Sequence, residues 1–257
     1  MTVGLDAGDL AAALAGTPWR PRVVAATGST NADLAAAARS GAAAGEVLIS
    51  AHQSAGRGRL ARRWEAPPGA SWATSVLIAP RRPMADWGWL PLLVGVAVAR
   101  GVAEATGLEP RLKWPNDVLV GEGKLCGILC EAVADASPPA AVLGFGLNTA
   151  LTAQDRPVPT ATSLLLEGAD PDPAAVLAAV LRHLAAVLAG WEAGEDPRPG
   201  YRALCGTLGR AVTVHLPAGP VDGTAVDVDR EGALVVDTPA GRRTFVAGDV
   251  EHLRPGG

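Results

Sequence analysis

Over the first two thirds of the chain, short aliphatic and β-branched runs bounded by Gly, Pro and Asn alternate with alanine-rich stretches of helical period. Over the last fifth only short, closely spaced apolar runs remain. Residues 21–27, 46–53 and 71–80 read as strands. Residues 28–41 read as a helix that Ser29 or Thr30 caps and Gly41 ends. An apolar helix is predicted from Trp87 to Thr106, despite Pro91 near its start and Gly95 and Gly101 inside it. Extended runs follow at 111–114, 117–120, 125–133 and 141–148, the middle two joined by a turn at 121–124. Next come a loop over 149–163, a helix from Pro173 to Trp191, a break at 193–200 and a short helix over 201–209. After Arg210 five short strands occupy 211–217, 223–229, 233–239, 242–248 and 249–254. This order specifies an α/β unit over 1–208 and a small β-barrel over 209–257.

Composition narrows the function more than the fold. With 257 residues, 49 % hydrophobic and 19 % charged, the chain has material for a sizeable core. No uninterrupted apolar run is long enough to cross a bilayer, and the start carries acids where an export signal carries bases, so a cytoplasmic protein without a membrane partner is expected. Cys126, Cys130 and Cys205 are too few for a disulfide framework and match no zinc spacing; they read as small buried hydrophobes. The net charge of −4 argues against a surface that binds nucleic acid, so any anion site must be local. Of the 22 basic residues, twenty are arginines and only Lys113 and Lys124 are lysines. A compact ammonium and a planar guanidinium are not interchangeable at a tight polar site, which marks both lysines as candidates for chemistry.

Candidate chemistry lies in five stretches. Gln53–Trp64, QSAGRGRLARRW, sets Arg57, Arg59, Arg62 and Arg63 among Gly56 and Gly58. GRGRLA satisfies a dinucleotide-binding pattern on paper, but that pattern needs a helix opening at its third small residue, and RRWEAPP prevents one. What remains is a mobile arginine loop able to close over a ligand rich in negative oxygens, or a merely solvated basic loop. In LKWPNDVLV, Pro115 forces Trp114 extended, and Asn116 with Asp117 reads either as a plain turn or as a magnesium or ribose contact. In GKLCGILCEAV, strict alternation sets Lys124 on one face with Cys126, Ile128 and Cys130, opposite Leu125, Gly127 and Leu129. GFGLN clears space at Gly144 and Gly146 and ends on Asn148. GSTN offers hydroxyls, an amide and free backbone N–H groups at a helix start.

GSTN, HQSAGRGRLARRW, KWPNDVLV, GKLCGIL and GFGLN, in this order between Ser29 and Asn148, resemble the catalytic domain of biotin–protein ligases. One departure is Ala61, where the family loop commonly has a second glycine. The resemblance implies a mixed sheet packed with helices and an SH3-like C-terminal barrel. It also implies an enzyme that joins biotin to ATP as biotinyl-5′-adenylate and passes biotin to a lysine of the carrier domain of a biotin-dependent carboxylase. Lys124, Arg57 and Arg59 would then be catalytic. Ser29, Thr30, Asn31, Gln53, Gly56, Gly58 and Gly127, with those three cations, would bind biotin. Arg59, Arg62, Trp64, Lys113, Asn116, Asp117, Lys124 and Asn148 would bind ATP or the adenylate, with Asp117 toward Mg2+. The 28 residues before Ser29 are too few for the DNA-binding domain of bifunctional members, so no DNA partner is expected. Lipoate ligases and octanoyl transferases of similar fold, or an interaction module built on the barrel, are the rivals.

Overall fold

The computed structural model describes residues 5–246 and 248–253. Its larger unit is built on α1 (Ala7–Ala13), β1 (Arg20–Val24), α2 (Thr30–Arg39), β2 (Glu46–Ser50), β3 (Ser71–Ile78), α3 (Leu90–Thr106), β4 (Arg111–Lys113), β5 (Asp117–Val120), β6 (Gly123–Val133), β7 (Ala140–Asn148), α4 (Pro173–Glu192) and α5 (Arg198–Leu204). The seven strands form one sheet in the order β1-β2-β3-β7-β6-β5-β4. The β1–β2 pair is parallel and the other pairs are antiparallel, giving the mixed sheet.

Alternation along β3 shows how the layers are chosen. Trp72 and Val76 enter the large core with α3 and α4, whereas Leu77 joins Leu34 of α2 in a smaller core on the opposite face. The period of two thus feeds two helical layers from one strand. The helices are close-packed: a Cβ added at Gly101 of α3 would lie 2.5 Å from Val180 Cα of α4. The segment Met84–Thr106 and α4 are long and apolar enough to cross a membrane, with mean hydropathy 1.3 and 1.7, where the sequence reading found no uninterrupted run. Here they supply the core beneath the sheet, burying Val94, Val98, Val180 and Leu184.

The smaller unit holds β8 (Ala211–His215), β9 (Val221–Val228), β10 (Leu234–Thr238), β11 (Gly241–Phe245) and β12 (Asp249–His252), ordered β11-β10-β9-β8-β12. All its pairs are antiparallel. Its turn between β9 and β10 is clamped to the larger unit: Trp89 Nε1 donates to Arg230 O at 2.7 Å and Trp114 Nε1 to Gly232 O at 3.1 Å. Arg202 of α5 grips Asp227 through two hydrogen bonds of 2.7 and 2.8 Å.

Several boundaries moved. The Trp87–Thr106 helix divides into a 3-10 turn over Met84–Trp89 and α3, with Pro91 in the first helical turn, where its missing N–H costs nothing. The strands expected to run to 27 and 53 stop at Val24 and Ser50, leaving a single bridge between Thr27 and Gln53. The short helix starts at Arg198 rather than 201, and α1, capped by Asp6, was not foreseen.

Gly101→Ala should destabilise the protein by about 1–3 kcal/mol, the usual cost of forcing a methyl into a filled helix crossing. Thermal melting measures it; an unchanged melting temperature would mean that α3 and α4 can separate freely.

Candidate active site

A hollow of about 360 Å³ opens between the sheet, the start of α2, the arginine loop and β12 of the barrel. Its polar floor is assembled at the α2 N-terminus. Ser29 Oγ accepts from Ala32 N at 3.4 Å and caps the helix. Gln53 Oε1 accepts from Thr30 N at 2.8 Å and from Thr30 Oγ1 at 3.1 Å. Ser75 Oγ lies 2.7 Å from Thr30 Oγ1 and 2.6 Å from Asn31 Oδ1. Asn31 Nδ2 donates to Leu129 O at 3.0 Å and to Glu131 Oε2 at 2.7 Å. Asn31 reaches the sheet because Gly144 has no side chain; a Cβ there would fall 2.1 Å from Asn31 Oδ1.

The loop is narrower than a free lid. Trp64 N donates to Gly56 O at 3.0 Å, Gly58 N to Arg62 O at 2.7 Å, and Arg57 and Arg63 form an antiparallel bridge. A 3-10 turn over Arg59–Ala61 makes the tip, where Leu60 is exposed with φ 55°. Trp64 is thereby laid on the sheet. Its indole rests on Gly127 and Gly146, which face each other across β6 and β7, and a Cβ at either would come within 2.7 or 2.5 Å of the ring.

One strand departs from strict alternation. In the β5–β6 pair Val118 opposes Cys126 but Leu119 opposes Lys124, so Leu125 is an extra residue in the ladder. The expected grouping of Lys124 with Cys126, Ile128 and Cys130 is therefore corrected: the bulge turns Lys124 onto the face of Gly127 and Asp117. Its Nζ lies 2.7 Å from Asp117 Oδ1 and 5.8 Å from the centroid of the Trp64 ring. Cys126 is fully buried, and burial pushes its thiol well above the ordinary range, leaving it inert.

Three arginines of the hollow are held against carboxylate or carbonyl oxygens. Arg57 pairs with Glu131 at 3.0 Å, Arg62 with Asp249, and Arg59 Nη1 donates to Asn116 Oδ1 at 3.2 Å and to Gly248 O at 3.5 Å. Arg59 is half-buried; desolvation lowers its pKa, while the nearby Asp249 and Asp117 act the other way. Asn116 is fixed in turn, its Nδ2 donating to Ile128 O at 3.0 Å.

Ser29, Thr30, Asn31, Gln53, Arg57, Gly58, Arg59, Arg62, Trp64, Lys113, Asn116, Asp117, Lys124 and Gly127 all line this one hollow. Gly56 stands at the neck of the loop. Asn148 is not brought into the hollow: it is buried, and its Nδ2 donates to Lys124 O at 3.4 Å and Thr162 O at 3.0 Å, which ties down the backbone behind Lys124. The sequence reading missed Ser75 and the barrel residues His215, Asp249 and Glu251, which line the hollow, and Glu131, which holds Arg57 and Asn31. A polar residue on an otherwise apolar strand could have pointed to Ser75; no local signal points to Asp249. Among the described residues no group of three or more His, Cys, Asp or Glu could cage a metal. A single carboxylate such as Asp117 fits a magnesium ion that arrives bound to phosphates.

Beside the hollow, His252 of β12 lies 2.9 Å from Thr207 Oγ1, which accepts from Trp114 N at 3.0 Å. Burial, with Lys113 and Arg210 nearby, lowers the His252 pKa to about 4, against a smaller opposing pull from Glu122. A histidine kept neutral by the fold adds stability above its unfolded pKa of about 6.5, and that stability drains as pH falls toward about 4. Melting temperatures taken from pH 7 to 4.5 should therefore fall less steeply in His252→Asn than in the parent chain. Parallel slopes would remove His252 from the acid response.

Residues 25–148 match the biotin/lipoate A/B protein ligase family, and residues 207–253 match the biotin protein ligase C terminal domain. The chain is 47 % identical over 251 residues to the biotin–[acetyl-CoA-carboxylase] ligase of Mycobacterium tuberculosis, covering 93 % of this chain and 92 % of that one. It is 32 % identical to the bifunctional ligase/repressor BirA of Bacillus subtilis, over 83 % of this chain and 68 % of the relative. Among solved structures, the biotin protein ligase from Aquifex aeolicus in complex with biotin and ATP superposes with a TM-score of 0.76 at 26 % identity, covering 91 % of this chain and 99 % of that one. The same two-unit architecture, the matched regions and the near full-length identity lead to one conclusion: the chain belongs to the biotin/lipoate A/B protein ligase family, as a biotin protein ligase.

Proposed function

We propose that the hollow binds biotin and ATP together, joins them as biotinyl-5′-adenylate, and passes the biotinyl group to a lysine on the carrier domain of a biotin-dependent carboxylase in the cytoplasm. The reading rests above all on the convergence of Lys124, Arg57 and Arg59 on one hollow that also has a neutral polar floor. The names of the relatives support it: one is a ligase for acetyl-CoA carboxylase, and another is seen with biotin and ATP.

The two ends of the hollow suit the two ends of the vitamin. Thr30, Asn31, Gln53 and Ser75 offer hydroxyls and amides without net charge, matching a neutral cyclic urea. The cationic end suits the carboxylate and the α-phosphate, two anions that approach each other only where fixed positive charge offsets their repulsion. A carboxylate oxygen attacks the α-phosphorus, the bond to the β-phosphate oxygen breaks, and pyrophosphate leaves with that electron pair. Lys124 and Arg59 stabilise charge on the equatorial phosphate oxygens, while Arg57 orients the carboxylate. Lys113, Arg62, Asn116, Asp117 and Trp64 serve the nucleotide, and Asn148 contributes by holding the backbone of Lys124. A magnesium ion bound to the triphosphate would spread its charge, and Asp117 is the carboxylate that would hold it. In the second half-reaction the neutral amine of the acceptor lysine attacks the acyl carbon and AMP departs. No enzyme-bound acyl group is required.

Lys124→Ala should lower biotin-dependent pyrophosphate exchange by about 10²–10³-fold, as removal of one transition-state donor commonly does, with the melting temperature retained. Near-normal exchange would refute the assignment of Lys124. Incubation with labelled biotin, ATP and magnesium should leave a tightly held acyl-adenylate. Failure to form it, or capture of lipoate in preference to biotin, would refute the reading as a whole.

A further inference from the structure

Among the described residues the larger unit supplies the arginines and lysines of the hollow, yet the carboxylate that holds Arg62 comes from the barrel. Asp249 is the first residue of β12, and with Val250 and Glu251 it forms part of the wall of the hollow. The same strand end meets the loop twice, since Arg59 Nη1 also reaches Gly248 O at 3.5 Å. Asp249 further supports the charge on half-buried Arg59. Two contacts therefore run from one strand end to the two inner arginines of the loop. The Asp249 side chain is 27 % exposed and that of Arg62 68 %, so the pair stands at the mouth, where an entering anion meets Arg62.

We propose that Asp249 is a positioning residue that tethers the arginine loop to the barrel and competes with the nucleotide's phosphates for Arg62. The competitive part rests on the reading of the hollow as an ATP site; the tether does not. With no anion present, the carboxylate neutralises Arg62 and keeps the tip against β12. When a polyphosphate arrives, its oxygens replace Asp249 on the guanidinium. When pyrophosphate forms, Asp249 is at hand to retake Arg62 and help the product leave. The prediction is unusual in sign: removing a group that only held the structure together would weaken phosphate binding, whereas removing a competitor strengthens it.

Calorimetry with pyrophosphate, and thermolysin cleavage at the exposed Leu60, test the two parts. Asp249→Asn should bind pyrophosphate about two- to fivefold more tightly, the range expected for losing one exposed ion pair as a competitor. Its loop should also be cut faster in the ligand-free protein. The gain in affinity should vanish in the Arg62→Gln, Asp249→Asn double variant and be absent in Asp249→Glu, which keeps the charge. Melting temperatures establish that each variant is folded; should Asp249→Asn fail to fold, Arg62→Gln and Asp249→Glu still report the tether through cleavage rates. Unchanged or weaker pyrophosphate binding by folded Asp249→Asn overturns the competition, and an unchanged cleavage rate overturns the tether. A parent protein that binds neither ATP nor pyrophosphate would bring down the nucleotide reading and the competition with it, while faster cleavage of Asp249→Asn would still uphold the tether.

Discussion

Positive charge cannot be gathered in a half-buried space without something to hold it there. The hollow collects Arg57, Arg59, Arg62, Lys113 and Lys124, and their mutual repulsion grows as water is excluded. The fold answers with Glu131 beside Arg57, Asp117 beside Lys124 and Asp249 beside Arg62. Asp117 and Asp249 are themselves part of the wall of the hollow. Arg59 is met instead by the Asn116 amide oxygen and the Gly248 carbonyl.

Backbone features aim these charges. A single extra residue at Leu125 converts a lysine that would point into the core into one that faces Asp117. Two opposed glycines let Trp64 lie against the sheet, and Trp64 anchors one end of the arginine loop while Gly56 anchors the other. Gly144 does for Asn31 what that pair does for Trp64. Chemistry and backbone geometry are therefore encoded by neighbouring positions: in GKLCGIL the lysine carries charge and the second glycine gives the loop its seat.

Much of this was legible from the chain alone. Hydrophobic period located most strands, because strands such as β3 and β7 are buried along their length. The contrast of two lysines with twenty arginines pointed to Lys113 and Lys124 before any geometry was known. What alternation could not show was the bulge, since its only signature is a change of partner between Leu119 and Lys124 that depends on a neighbouring strand. Asp249 was hidden for a similar reason. Nothing near it in sequence speaks of phosphate, and its place at the hollow exists only because the barrel docks where it does. The α1 helix was hidden by its brevity, for one amphipathic face over Ala7–Ala13 presents little more than Leu10 and its neighbour Leu14 to the core.

The two indoles that grip the barrel's β9–β10 turn have a wider significance. Trp89 stands one residue before α3, and Trp114 stands two residues before Asn116, so the same pair of anchors joins the core of the larger unit, the Asn116 end of the hollow and the barrel into a single brace. A brace of that kind opposes an independent swing of the barrel. A chain lacking the barrel would lose an outer wall of the hollow as well as a neighbour.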